Sequence, residues 1–165
     1  MVTIIVTGSV GSGKTTLSEK LAKSLDFSYI DVNKVISNNQ LCEEFDKKRD
    51  CVVVDEKKLG KILVDLIKSS NKSLVIDSHM SYFVPKKYVD LCIVTVCENL
   101  KELEKRLKRR KYSKDKIKEN LEAEIFQVCL NEAKEAGHDL LVVETSQGYN
   151  LKEIVEYVVK KMVRH

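Results

Sequence analysis

The stretch Val2-Thr-Ile-Ile-Val-Thr-Gly-Ser-Val-Gly-Ser-Gly-Lys-Thr-Thr-Leu17 decides the fold that this sequence predicts. Its first part, residues 2–6, is a short apolar run that is typical of a buried strand. The pattern Gly8-x-x-x-x-Gly13-Lys14-Thr15 follows at once, and leucines at helical spacing come after it. Strand, glycine-rich loop and helix in this order are the signature of a phosphate-binding P-loop. A chance glycine-rich turn is the alternative, and the flanking strand and helix argue against it.

Each residue type in this loop has a physical role in binding a nucleoside triphosphate. Glycine permits backbone angles that a Cβ would forbid, so that successive N–H groups can point at one anion. The helix that begins near Lys14 adds the positive end of its dipole. We expect Lys14 to contact the β- and γ-phosphates and the Thr15 hydroxyl to ligate Mg²⁺. The predicted nucleotide-binding residues of the loop are Gly11, Ser12, Gly13, Lys14, Thr15 and Thr16.

Length and composition predict a single globular domain. The chain has 165 residues, of which 43% are hydrophobic and 33% are charged, and this length can bury a core. It contains no run of 18 apolar residues, and residues 2–6 are too short for a secretory signal, so we expect neither a membrane span nor a leader. The five cysteines form no CxxC pair, which favours a reducing intracellular compartment and argues against structural zinc.

Apolar runs alternate with helical patterns, which predicts a five-stranded parallel sheet with helices on both faces. The predicted strands are residues 2–6, 27–32, 74–77, 88–96 and 140–143. The predicted helices after the P-loop are residues 55–68, a basic helix over 99–110, a long helix over 113–136 that Gly137 ends, and residues 150–162. Residues 33–54 are polar, and we expect an insertion with short helices there.

Four residues beyond the loop could act on a bound triphosphate, because ligands of such sheets lie outside the carboxyl ends of the strands. Asp77 ends the third predicted strand, and we expect it to hold Mg²⁺ directly or through water; capping the next turn is the alternative. His79 could orient a water or carry a proton, although a lone histidine is often structural. Arg106 and Arg110 share one helical face and could stabilise charge on a transferred phosphoryl group, or could form only a basic surface.

The charge of the chain is unevenly distributed. The net charge is +4, but residues 101–118 hold ten Lys and Arg against three acids, a local charge of +7 that leaves about −3 elsewhere. Such a block favours a polyanionic ligand, which could be the phosphates of the nucleotide, RNA or both. A solvated helix face is the alternative for most of these lysines.

Five segments carry a resemblance to a known family. They are Gly8-Ser-Val-Gly-Ser-Gly-Lys-Thr-Thr16, Asp50-Cys-Val-Val-Val-Asp55, Val75-Ile-Asp-Ser-His79, Arg106-x-x-x-Arg110-Lys-Tyr112 and Lys118-Glu-Asn-Leu-Glu-Ala-Glu-Ile-Phe-Gln-Val128. With them, nearly the whole chain resembles the adenylate kinase isoenzyme 6 family, also described as coilin-interacting nuclear ATPases and ribosome-assembly NTPases, and we expect a member of the archaeal type. Many kinases share the P-loop, whereas the Asp77-x-His79 pair and the Asn120-Leu-Glu-Ala-Glu-Ile125 block are much more specific.

The resemblance implies one P-loop kinase domain over residues 1–165, with a nucleoside monophosphate-binding insertion at about 31–54 and a short lid at about 109–119. The implied activity is ATP + AMP giving two ADP, alongside ATP hydrolysis, with Mg²⁺ accompanying ATP. Lys14, Thr15, Asp77, His79, Arg106 and Arg110 occupy positions that match the motifs of the family. The resemblance also implies a small-subunit ribosomal protein as partner, with rRNA as a further candidate, no membrane partner, and a cytoplasmic location, or a nuclear one in a eukaryote.

Two departures from the family pattern bear on substrate binding. By ungapped alignment, Ser37 stands where many relatives carry an arginine that grips the phosphate of AMP, and Lys34 is a poor substitute for its planar fork. Lys111 stands where the family commonly has glycine, so the lid is expected to be stiffer and more basic. We expect adenine to lie near residues 145–147 by analogy of fold.

These departures leave three functions open. The first is an adenylate kinase-like enzyme with ATPase activity. The second is a nucleotide-switched ribosome-assembly ATPase that acts little or not at all on AMP. The third is a kinase for another small molecule, against which the two specific blocks argue.

Overall fold

The computed structural model describes residues 1–46 and 51–163, which form seven strands and seven helices besides two short 3₁₀ turns. In chain order these elements are β1 (Thr3–Gly8), α1 (Lys14–Leu25), β2 (Ser28–Asp31), α2 (Val32–Asn38), β3 (Cys42–Asp46), β4 (Cys51–Val54), α3 (Glu56–Ser69), β5 (Leu74–Asp77), β6 (Leu91–Val96), α4 (Leu100–Arg109), α5 (Lys114–Ile125), α6 (Val128–Glu135), β7 (Leu140–Glu144) and α7 (Leu151–Val163).

Five strands form the central sheet in the order β2-β5-β1-β6-β7, and every neighbouring pair is parallel. The five-stranded parallel sheet predicted from the sequence is therefore confirmed. One boundary was wrong, because β6 begins at Leu91 rather than at Tyr88. Pro85 opens a 3₁₀ turn over Lys86–Tyr88, and proline favours such a turn because its φ is locked.

Helices cover both faces of this sheet, as predicted. Along β1, Ile4 and Val6 point to the face that α1 and α7 cover, whereas Ile5 points to the face that α3 and α6 cover. The strands are therefore apolar on both sides, which is why they read as continuous apolar runs. Within the described part of the chain, no helix combines the length and the apolar character needed to cross a bilayer.

The segment between β2 and α3 contains one short helix, as expected, and also a pair of strands that the sequence did not predict. It contains α2, followed by the antiparallel pair β3 and β4, in which Cys42 faces Val54 and Asp46 faces Cys51. Val52, Val53 and Val54 are β-branched, and that side-chain type favours a strand. Residues 47–50, which include Asp50 of the resemblance, lie outside the described residues.

The single long helix predicted over residues 113–136 is two helices, α5 and α6. Ser113 caps α5 as predicted, but Gln127 has a φ of 50°, which interrupts the helix after Phe126. The break lets the two helices pack on different surfaces. Ile117 of α5 joins a small cluster with α4, whereas Leu130 of α6 joins the core of the sheet. Ile125, Phe126 and Val128 around the break are apolar but exposed, so the apolar pattern alone could not reveal the break.

Candidate functional site

The P-loop joins β1 to α1 and depends on glycine at two positions. Gly13 has a φ of 89° and directly precedes α1, a left-handed conformation that a side chain disfavours. At Gly8, an added Cβ would collide with Thr95 on β6 and lie 2.6 Å from Ser12 Oγ. The loop is thus held close to β6. The first N–H groups of α1 have no partner within the helix, so its N-terminus offers donors to an anion.

Ser12 supports the loop from within. Its side chain is fully buried, and its hydroxyl lies 2.6 Å from Thr95 Oγ1. Its N–H donates to the Ser9 carbonyl at 3.1 Å, and its own carbonyl accepts from the Thr145 hydroxyl at 2.6 Å. These bonds fix the shape of the loop. A direct contact of Ser12 with nucleotide stays a prediction.

The two predicted metal ligands lie side by side at the carboxyl end of the sheet. The Thr15 hydroxyl donates to Asp77 Oδ2 at 2.6 Å, and the Tyr29 hydroxyl donates to the same oxygen at 3.0 Å. Burial, followed by the charge of Asp77, raises the pKa of Tyr29, so its hydroxyl stays a donor. A hydroxyl and a carboxylate are hard oxygen donors of the kind that Mg²⁺ prefers. Thr15 and Asp77 therefore fit a magnesium ion that a nucleotide brings.

Lys14 and His79 share the electrostatic environment of Asp77. Desolvation by burial lowers the pKa of Lys14, Asp77 opposes this decrease, and Arg110 adds to it. Desolvation inside the cleft also lowers the pKa of His79. The charge of Lys14 lowers this pKa further, whereas the charge of Asp77 raises it. His79 nevertheless keeps part of its surface exposed. A neutral imidazole at this place can orient water or accept a proton.

One cleft, with a volume of about 680 Å³, opens between the P-loop, α2 and the start of α5. We call it the Ser37 cleft, because Ser37 lies in its wall as the alignment with the family suggested. Its apolar lining includes Ile36, Val54 and Met80. Its charged and polar lining includes Lys14, Thr15, Asn33, Ser37, Glu56, His79, Arg110, Tyr112 and Lys116.

A second cleft, of about 470 Å³, lies on the other side of the P-loop. We call it the Thr145 cleft, after the residue that follows β7. Arg110 lines both clefts, so its guanidinium stands where the two meet. The rest of the lining includes Gly11, Gly13, Thr16, Lys20, Arg106, Arg109, Thr145, Gly148 and Tyr149.

Arg106 is bonded to the wall of the Thr145 cleft. It donates to the carbonyl oxygens of Thr145 at 2.7 Å and of Gly11 and Ser146 at 3.4 Å each. Its Nε also pairs with Glu102 at 3.2 Å. These bonds tie α4 to the P-loop and to the segment after β7. Arg110 is the exposed member of the predicted pair, and its role as a phosphate contact stays a prediction.

The basic block at residues 101–118 divides into two groups. Four of its cations line the clefts, and six are exposed elsewhere. The cleft-lining cations are Arg106, Arg109, Arg110 and Lys116. The exposed lysines are Lys101, Lys105, Lys108, Lys111, Lys114 and Lys118. Both interpretations of the block, a polyanion-binding site and a solvated helix face, therefore have structural support, since part of the block faces the clefts and most of it faces solvent.

Sequence reasoning missed several residues of the site. Tyr29 and Lys116 carried no motif, and only the fold brings them to Asp77 and to the Ser37 cleft. Glu124 belongs to the specific Glu-Ala-Glu block, yet its role was unknown. Its buried carboxylate accepts the Cys97 N–H at 2.6 Å and thereby joins α5 to the end of β6. Because the burial of Glu124 shows only in the fold, its place in that block was the one signal available from the sequence.

Known proteins resemble this chain in sequence and in fold. Residues 4–127 match the protein family described as AAA domain. The Caenorhabditis elegans adenylate kinase isoenzyme 6 homolog is 40% identical over 141 residues, covering 86% of this chain and 77% of that protein. The Schizosaccharomyces pombe homolog of the same name is 36% identical and covers 98% of this chain and 94% of that protein. The chain belongs to the adenylate kinase isoenzyme 6 family.

Solved structures agree with this membership at the level of fold. Shikimate kinase from Acinetobacter baumannii superposes with a TM-score of 0.65 over 99% of this chain and 94% of that one, at 13% sequence identity. Such low identity supports the P-loop kinase fold alone. Its family and its P-loop together show that the chain is a kinase-like nucleotide-binding protein.

Proposed function

We propose that the protein transfers a phosphoryl group from ATP to AMP, giving two ADP, and also hydrolyses ATP. The observation that carries this proposal is that two clefts flank the P-loop and share Arg110 in their linings, while Lys14 and Thr15 line the Ser37 cleft. The Thr145 cleft would hold ATP, with adenine near residues 145–149, and the Ser37 cleft would hold AMP. The names of the relatives support the same reaction.

Catalysis would rest on positioning and on electrostatic stabilisation, as in phosphoryl transfer generally. Lys14 and the N-terminus of α1 would hold the β- and γ-phosphates. Arg110 lines both clefts, so it would stabilise the phosphoryl group during transfer. Thr15 and Asp77 would hold Mg²⁺, which neutralises phosphate charge when bound. His79 would orient the acceptor phosphate or, in hydrolysis, the attacking water.

In this proposal, residues 31–54 are the monophosphate-binding insertion and residues 109–119 are the lid. α2 supplies Asn33 and Ser37 to the Ser37 cleft, and the start of α5 supplies Lys116. Three cysteines with described side chains, Cys42, Cys97 and Cys129, are free thiols. Free thiols fit the cytoplasmic, or in a eukaryote nuclear, location that we propose.

The second candidate is a nucleotide-switched ATPase that acts in maturation of the small ribosomal subunit. Ser37 favours it, because α2 then presents no arginine fork for AMP at this position of the cleft wall. The six exposed lysines of the basic block also favour it, since they could contact a ribosomal protein or rRNA. This candidate predicts slow hydrolysis that a ribosomal partner accelerates, and a salt-sensitive RNA interaction.

The deciding experiment incubates the protein with Mg-ATP, with and without AMP, and quantifies ATP, ADP and AMP directly. We expect ADP to form at the expense of AMP. Lys14→Ala should abolish turnover with an unchanged thermal unfolding midpoint, whereas Lys152→Ala, an exposed change on α7, should keep full activity. Consumption of ATP with AMP untouched would select the ATPase function. Full activity of Lys14→Ala would refute both candidates.

A further inference from the structure

Lys116 reaches the Ser37 cleft from the first turn of α5. Its backbone N–H donates to the Ser113 hydroxyl at 3.2 Å, which fixes where the helix begins. Its side chain is half-buried, and its Nζ lies 4.4 Å from the centroid of the Tyr112 ring. Tyr112 lines the same cleft. The ammonium group therefore stands over an aromatic face at the wall of the cleft, in a cation–π contact that limits its freedom.

The charges that line the Ser37 cleft are distributed asymmetrically. Arg110 and Lys116 come from the end of α4 and the start of α5, and Lys14 comes from the P-loop. The described polar residues that α2 contributes to the cleft, Asn33 and Ser37, are neutral. Glu56 at the start of α3 is the acid in this lining. Among the residues that the structure describes, an anion would therefore find its cationic partners on the α4–α5 side and on the P-loop.

We propose that Lys116, together with Arg110, binds the phosphate of a phosphate monoester in the Ser37 cleft, in place of an arginine at position 37 of α2. This inference rests on the proposed function, in which the monoester is AMP. In the proposed function Lys14 would hold the phosphates of ATP, whereas Arg110 and Lys116 line the Ser37 cleft from its α4–α5 side. An ammonium group binds phosphate as a point charge and accepts a range of phosphate orientations. The apolar side chains of Ile36, Val54 and Met80 would then contact the nucleoside.

Equilibrium binding tests this assignment without any need for turnover. AMP, adenosine and inorganic phosphate are each titrated into the full-length protein by calorimetry at one ionic strength. Lys116→Gln removes the charge at nearly constant length, and Lys116→Arg restores a cation. Lys114→Gln is the matched control, because it removes the same charge from an exposed residue of the same helical turn.

We expect Lys116→Gln to raise the Kd for AMP by roughly tenfold or more, because a charged hydrogen bond to phosphate is lost. The Kd for adenosine should stay unchanged in this variant, Lys116→Arg should recover most of the AMP affinity, and Lys114→Gln should bind AMP normally. If Lys116→Gln loses affinity for inorganic phosphate in parallel with its loss of affinity for AMP, then Lys116 contacts the phosphate group.

Three results would overturn the assignment: unchanged AMP affinity in Lys116→Gln, an equal loss in Lys114→Gln, or wild-type protein that binds AMP no more tightly than adenosine. The proposed reaction fails in a different way. Tight AMP binding without formation of ADP would refute the kinase reaction and leave Lys116 as a phosphate-binding residue.

Discussion

The Thr15 hydroxyl donates a hydrogen bond of 2.6 Å to Oδ2 of Asp77, although 62 residues separate them in the chain. Thr15 lies in the first turn of α1, and Asp77 is the last residue of β5. β5 pairs with β1 in parallel, so the strand that enters the P-loop and the strand that ends in the acid finish at one edge. The pairing of these strands therefore assembles the predicted magnesium site.

Asp77→Asn should impair catalysis more than folding. The amide keeps the shape of the carboxylate and can still accept the Thr15 hydrogen bond, but it removes the charge that would face Mg²⁺. We expect the turnover number to fall by about 100-fold or more, since bound metal contributes several kcal/mol to such reactions. Steady-state rates across a Mg²⁺ titration measure this. Asp65→Asn, an exposed change on α3, is the control, and an unaltered Mg²⁺ dependence in Asp77→Asn would refute the metal role.

Tyr29→Phe should weaken the same site by a smaller amount. The change deletes one hydroxyl that donates to Asp77 and keeps the ring that packs in the core. We expect the Mg²⁺ concentration for half-maximal rate to rise by about three- to tenfold, with a stability loss of about 1 kcal/mol, typical of one hydrogen bond. Tyr157→Phe on α7 serves as the comparison. If stability falls and the Mg²⁺ dependence does not move, Tyr29 has only a structural role.

Ser37→Arg should improve AMP binding. Ser37 is exposed on α2 and lines the Ser37 cleft, so an arginine there could present a planar fork to the phosphate. We expect the KM for AMP to fall by about tenfold and the KM for ATP to stay unchanged, because one added bidentate contact is worth about 1.5–3 kcal/mol. Asn38→Arg adds the same charge next to the cleft as a control. Equal effects of the two variants would show that net charge alone is responsible.

The lowered pKa of His79 predicts a pH dependence of stability. Its folded-state pKa lies below the ordinary value of about 6.5, so between these two values the unfolded chain binds a proton that the folded chain does not. Stability should therefore fall as the pH decreases through that window. Urea unfolding at pH 7 and pH 5 should show a larger loss for the wild type than for His79→Gln. Equal losses in the two proteins would contradict the predicted direction.

Parts of the fold were accessible from sequence because they depend on local patterns. Continuous apolar runs predicted the strands of the sheet, and Asp55 and Ser113 correctly marked helix starts, since their side chains accept the N–H groups of Lys58 and Lys116. The β3–β4 pair was not predicted, because its hydrogen bonds link separate segments. The break at Gln127 was not predicted, because the apolar residues Ile125, Phe126 and Val128 continue across it although they are exposed.

The sequence by itself predicted the P-loop, the parallel sheet and the choice of Lys14, Thr15 and Asp77 as candidate site residues. Each of these follows from residue type and spacing along a short stretch. Tertiary structure alone decided which cations of the basic block face a cleft, why Ser12 and Glu124 are buried, and that Tyr29 reaches Asp77. It also placed Lys116 and Ser37 in the lining of one cleft. These facts depend on contacts between segments that lie far apart in the chain, and only the packed sheet and its helices set those distances.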